Sequence, residues 1–117
     1  PNFEFLRGKK RVLVISHFAL VYSNPFSPEF WHQLFRVVPE VRGVLLEPFS
    51  FSVPDLAPAP LFTQPRAQFY GIAENFYEVM RALEKNGEIE ITEIVPDITG
   101  LTTNSAISLM RIQRTPR

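Results

Sequence analysis

His17 is the residue of this 117-residue chain best suited by type and neighbourhood to move a proton, because an imidazole titrates near neutral pH. It lies in ISHFALVYSNPF, Ile15 to Phe26, where an apolar run gives way within a few residues to serine, histidine, tyrosine, asparagine and proline. At the carboxyl end of a strand in an open α/β sheet, the edge where such sheets bind ligands, a histidine could take a proton from a hydroxyl or hold a substrate. It could equally be held by a hydrogen bond within its own loop. Ser16 beside it makes no nucleophile pair, since adjacent side chains on extended backbone point apart and no G-x-S-x-G elbow surrounds it.

Glu47 ends a second apolar run at the matching position, where an acid faces either substrate or solvent. Tyr22, Asn24 and Phe26 follow His17, and Phe49 and Tyr70 flank a proline-rich stretch, so polar and aromatic side chains are present that could line a small-molecule site. Phe49, Phe51 and Phe62 could close over such a molecule with Tyr70 and Tyr77, or could simply pack a loop onto its helix. His17 and His32, fifteen positions apart and with no convergent carboxylates, make a poor ligand set, and no metal site is expected. His32, beside Trp31, reads as a surface residue.

The elements that must position these groups follow from the patterning. RVLVI, Arg11 to Ile15, is a continuous apolar run without alternation, which suits a strand buried on both faces. Ser27, Pro28 and Glu29 supply an N-cap, a first-turn proline and a first-turn acid. Phe30, Trp31, Leu34, Phe35 and Val38 then form one apolar stripe, which Pro39 stops. VRGVLLE, Val41 to Glu47, is a second strand. Phe49 to Pro65 reads as a long irregular segment, of the kind that serves as a functional lid or a connector. A second helix begins near Pro65, capped by Thr63 or Gln64, and carries Phe69, Ile72, Ala73, Phe76, Val79, Met80 and Leu83 as its stripe before Lys85, Asn86 and Gly87 end it. EIEITEIV, Glu88 to Val95, alternates as a half-exposed strand, and SAISLMRIQR, Ser105 to Arg114, is the last strand. Two strand–helix–strand crossovers imply three strands in parallel orientation. The last pair is joined too tightly for a crossover and should be antiparallel.

At this length the chain is one domain, residues 1 to 117, and its 45% hydrophobic and 21% charged composition is that of a folded protein. Formal net charge is zero, so no long-range field draws nucleic acid or an acidic membrane, and no basic face with interleaved aromatics is present for nucleic-acid readout. Arg7, Lys9, Lys10 and Arg11 at the front, and Arg111, Arg114 and Arg117 at the back, read as solvated tails. The absence of cysteine removes disulfides and thiolate chemistry and favours a reducing, cytoplasmic setting. No apolar run is long enough to span a bilayer and no signal peptide is visible, while an opening on Pro1 without methionine suggests a processed or excised piece.

The order of elements is similar to the C-terminal half of a class I S-adenosylmethionine-dependent methyltransferase, whose sheet ends in an antiparallel hairpin inserted beside the third-last strand. VLVISHFALVY resembles that family's fourth strand and following loop, and VRGVLLEPFS its fifth strand with the acid and proline after it. FYEVMRALEKNGEIEITEI resembles the penultimate helix and sixth strand, and NSAISLMRIQR the seventh, so the resemblance covers nearly the whole chain. SNPF, Ser23 to Phe26, is similar to the family motif (D/N/S)-x-P-(Y/F), in which a polar side chain and a prolyl carbonyl hold a target nitrogen while the aromatic stacks on its ring. Asn24 and Pro25 read alternatively as the turn into the Ser27 cap.

The resemblance implies a three-layer α/β fold with a partial Rossmann-like sheet and a small-molecule substrate enclosed by the Pro48 to Pro65 loop. It further implies a methyl transfer in which His17 serves as base. The family's glycine-rich loop and ribose-binding acid are missing: Gly8, Gly43, Gly71, Gly87 and Gly100 are scattered. S-adenosylmethionine should therefore bind only if a preceding half is supplied. In the family's strand order Arg11 to Ile15 would lie at an open edge with no proline or inward charge to protect it. It should pair with another copy, as a homo-oligomer, or with a partner chain. The second expectation, of a different class, is a non-catalytic α/β module that associates through that edge.

Overall fold

The structure, a computed structural model, describes residues 2–17, 19–20, 26–49, 67–95 and 107–116, the side chains of 67–74 excepted. After a 3-10 turn at Glu4–Leu6 come β1 (Arg11–His17), α1 (Glu29–Val37), β2 (Glu40–Glu47), α2 (Ala67–Lys85), β3 (Ile89–Val95) and β4 (Ser108–Arg114). The strands form one four-stranded mixed sheet in the order β1-β2-β4-β3. β1 and β2 are parallel, and β4 is antiparallel to both of its neighbours. β3 therefore points the same way as β1 and β2, and the last strand is antiparallel as its short connection requires.

Local chemistry explains the helix ends. The Glu29 amide donates to Ser27 Oγ at 3.2 Å, so Ser27 satisfies one of the orphan donors of α1 although the helix itself starts at Glu29. At the far end of α2, Gly87 adopts a φ of 76°. Its amide donates to the Glu84 carbonyl and that of Glu88 to the Leu83 carbonyl, both at 3.0 Å, closing a Schellman motif that needs the left-handed glycine. Thr63 and Gln64, expected to cap α2 at its start, lie outside the described residues, as do Ser105 and Ala106, where β4 was expected to begin.

The core occupies one face of the sheet. Trp31, Leu34 and Val38 from the first apolar stripe and Phe76, Met80 and Leu83 from the second are buried against Val41 and Leu45 of β2, Ile89 of β3 and Met110 and Ile112 of β4. Gly43 belongs to this face for lack of room. A Cβ there would stand 2.8 Å from Ile112 Cγ1 on the adjacent strand.

Two expectations fail on the opposite face. β1 is not buried on both sides: Leu13 is 57% and Ile15 67% exposed, with Arg11 and His17 also in solvent. The described residues likewise build two layers rather than three. The cause is the direction of the connections. From β1 to β2 and from β2 to β3 the chain steps the same way along the sheet, and right-handed connections stepping one way place their helices on the same face. The unbroken apolar run signals a strand with two apolar faces, yet this chain's described elements cover only one.

Candidate functional site

The parallel strands β1 and β2 deliver His17 and Glu47 to the same end of the sheet but to opposite faces. In the register His17 stands beside Leu46, on the uncovered face, while Glu47 stands beside Ser108, facing the helices. Glu47 is fully buried, and its Oε2 accepts the Ala19 backbone amide at 3.3 Å. A buried carboxylate is tolerated only where donors meet it, and this one ties down the chain two residues beyond His17. Ser16, on the inner face, is also buried, and its Oγ has no hydrogen-bond partner among the described residues.

Beneath this end lies an aromatic floor. Phe26 is buried with its ring 5.5 Å from Phe76 and 6.0 Å from Phe30, and its carbonyl accepts from Asn75 Nδ2 at 3.0 Å. Phe49, fully buried, lies 5.7 Å from the same Phe76 ring and stacks on Tyr77 at 5.8 Å and 22°. Of the residues expected to form a site, the structure thus places Phe26, Glu47 and Phe49 on the inner side, with Phe26 and Phe49 against Phe76. It sets His17 apart from them across the sheet. Tyr22 and Asn24 lie outside the described residues; Tyr70 lies within α2, its side chain outside that description.

Tyr77 is held from the far side by Arg81, whose Nε donates to the phenol oxygen at 3.1 Å and whose guanidinium lies 5.4 Å from the ring centroid. Partial burial by itself would weaken proton binding at Arg81, but Tyr77 and Glu84 beside it outweigh that loss and raise its pKa. Asn75, which fixes the Phe26 backbone, was absent from the residues singled out in the sequence. Its only signal was its place one position before a stripe residue, and its partner is 49 positions away.

Two further residues differ from their sequence reading. Arg114 is no solvated tail: its Nη1 donates to the carbonyls of Phe35 and Val38 at 2.8 Å and of Pro39 at 3.4 Å, and its guanidinium covers the Phe35 ring at 4.7 Å. It caps the carboxyl end of α1 from β4. His32 is half-buried, with Nε2 2.7 Å from Glu88 and Nδ1 3.7 Å from Glu29, and joins α1 to the turn before β3.

Among the described residues no glycine-rich loop of the kind that cradles S-adenosylmethionine follows a strand. Gly8 and Gly87 have positive φ but lie in turns, and Gly43 is packed against Ile112, so none belongs to a glycine-rich loop following a strand. Among the described residues no group of His, Asp and Glu converges to hold a metal ion, and no helix is long and apolar enough to cross a membrane. The chain was compared with protein-family models, curated proteins and solved structures, and none of the three comparisons gave a match.

Proposed function

We propose that this chain is the C-terminal half of a small-molecule S-adenosylmethionine-dependent methyltransferase domain, inactive alone, which supplies the acceptor side of the site. The observation that carries the reading is the strand order β1-β2-β4-β3, in which an antiparallel last strand is inserted between two strands that point the same way, with β1 left at an open edge. Phe26, Phe49 and Phe76 pack beneath that end of the sheet, on the face away from His17. His17, at the ligand-binding end of β1, fits a base for an acceptor hydroxyl. A neighbour beside β1 is required to complete a cofactor site.

Calorimetry with S-adenosylmethionine on the protein as encoded in its reading frame, and on residues 1–117 alone, tests this. Micromolar binding by the former and none by the latter is expected. No binding by either sinks the methyltransferase reading, and binding by residues 1–117 alone sinks the half-domain part of it.

The second reading, a non-catalytic module joined to partners through β1, is favoured by the exposure of Phe5, Leu13 and Ile15 on and just before that strand. A stable dimer of residues 1–117 in sedimentation, together with no cofactor binding by the encoded protein, would select it.

A further inference from the structure

One turn ties several elements of this fold together. The carboxyl end of α2 closes on Asn86, Gly87 and Glu88, and the main-chain amide of each has a partner. Asn86 donates to the Ala82 carbonyl at 2.9 Å, Gly87 to that of Glu84 at 3.0 Å and Glu88 to that of Leu83 at 3.0 Å. Glu88 then reaches outward in two directions. Its carbonyl accepts the Thr115 amide, just past β4, at 3.0 Å, and its carboxylate lies 2.7 Å from His32 Nε2 on α1. A single short stretch of backbone therefore holds α1, the end of α2, the start of β3 and the end of β4 to one another.

The same stretch is chemically labile. Asparagine is a thermolabile residue, because its side-chain carbonyl carbon can close a five-membered ring with the next main-chain nitrogen. A following glycine shields that nitrogen least, having no side chain. Asn86 is the asparagine of this chain that precedes glycine: Asn2 and Asn75 precede phenylalanine, Asn24 proline and Asn104 serine. Asn86 and Gly87 are both exposed, and beyond their chain neighbours nothing described lies within 4 Å of where a Cβ on Gly87 would stand. No packing therefore bars the ring, or the water that would open it. Conformation alone protects the site, since the Gly87 N–H is bound to the Glu84 carbonyl and its φ of 76° belongs to the Schellman turn.

We propose that Asn86 is a site of spontaneous backbone modification, gated by the turn that closes α2. When that end of the helix frays, the Gly87 nitrogen gives its proton to solvent base and attacks Asn86 Cγ. The new C–N bond forms, the Cγ–Nδ2 bond breaks, and ammonia leaves after taking up a proton. Water then opens the succinimide. Cleavage at Cγ leaves aspartate in an ordinary chain; cleavage at the main-chain carbonyl leaves isoaspartate, with Gly87 joined through Cγ and the α-carboxylate free. Either product sets a new carboxylate at the carboxyl end of α2, where the helix carbonyls and the nearby Glu84 and Glu88 oppose it. Isoaspartate also lengthens the backbone by one carbon ahead of Gly87, so the Gly87 and Glu88 amides no longer both meet their carbonyls, and Glu88 releases Thr115 and His32. The inference goes beyond the half-domain reading and does not depend on it.

The encoded protein is incubated at mildly alkaline pH, folded and in urea, and the peptide spanning residue 86 is followed by mass spectrometry with fragmentation that separates aspartate from isoaspartate. Conversion at Asn86 should be slower in the folded protein by about tenfold or more, because it waits on local opening. Asn86→Gln, whose longer side chain needs a six-membered ring, should stay unmodified in both states over the same period. Protein aged in urea and refolded should then exchange its Gly87, Glu88 and Thr115 amides about tenfold faster in the isoaspartyl form than before ageing. Asn86→Asp, which adds the charge without the extra carbon, should change the Thr115 rate much less. Equal conversion in both states removes the gate, and no conversion in urea removes the site. Thr115 exchange that is unchanged in the isoaspartyl form, or equally fast in Asn86→Asp, removes the link through the backbone. Each of these outcomes overturns the proposal.

Discussion

The two edges of this sheet are built by opposite rules. β3, at one end, carries Glu90, Thr92 and Glu93 toward solvent, and its pairing with β4 is interrupted by a bulge between Ile91 and Glu93. Both devices discourage another strand from adding there. β1, at the other end, has no charged residue from Val12 to Ser16 and shows two large aliphatic side chains to water. Among the described residues, then, one edge of the sheet is protected and the other is not, and the proposed reading takes the β1 edge as the place where a further strand joins.

That contrast can be broken in several ways. The largest effect should come from Trp31→Ala, which empties a fully buried site in the core beneath the sheet; a loss of about 3–5 kcal/mol in urea unfolding is expected. Hydrogen exchange should show both edges opening together. Independent opening of β1 with β3 and β4 intact would mean that the two sides are separate units rather than one sheet with unlike edges. Glu47→Ala should cost about 1–3 kcal/mol and accelerate exchange of the Ala19 amide, while Glu47→Gln, which keeps an acceptor oxygen, should recover much of the protection. Equal loss in both variants would show that the carboxylate does not hold that loop.

Smaller changes address the edges themselves. Ile15→Lys should leave stability within about 0.5 kcal/mol and lower self-association of the isolated chain in sedimentation velocity, whereas Glu93→Ile should raise it. If neither variant changes the sedimentation profile, the edges do not differ in the way proposed. The smallest effect concerns the turn before β1. A side-chain hydrogen bond from Arg7, opposed by loss of hydration and aided by the Arg7 charge, holds the Glu4 carboxyl below its usual range. A depressed carboxyl adds stability that is present at neutral pH and lost as pH falls through the folded-state value. The turn at Glu4–Leu6 should accordingly fray in acid before the sheet does, as followed by amide shifts. Simultaneous loss would show that the pair is of no local consequence.

Much of the architecture was legible because it depends on local rules. The stripe from Phe30 to Val38 marked the buried side of α1, and the Lys85, Asn86, Gly87 ending of α2 was readable because a left-handed cap favours glycine. The antiparallel last pair followed from the shortness of its connection, whereas the order of strands in the sheet was expected only from the family resemblance. Arg114 was misread because its meaning depends on carbonyls 76 and 79 positions away at the end of α1, which nothing in the neighbourhood of Arg114 signals. The site was less legible than the fold. Phe26 and Phe49 both pack against Phe76, a residue whose spacing marks it as core, and the faces of His17 and Glu47 depend on a register that the sequence does not print.

By itself the sequence determined the elements and their directions, since periodicity, caps and connection lengths act over a few residues each. Only the tertiary structure decided which face of β1 is covered, that Glu47 points into the core while His17 points away from it, and that the outer face is part apolar and part ion-paired. Those properties arise from registers between distant strands and from two connections stepping the same way, and in a strand a shift of one residue exchanges the faces.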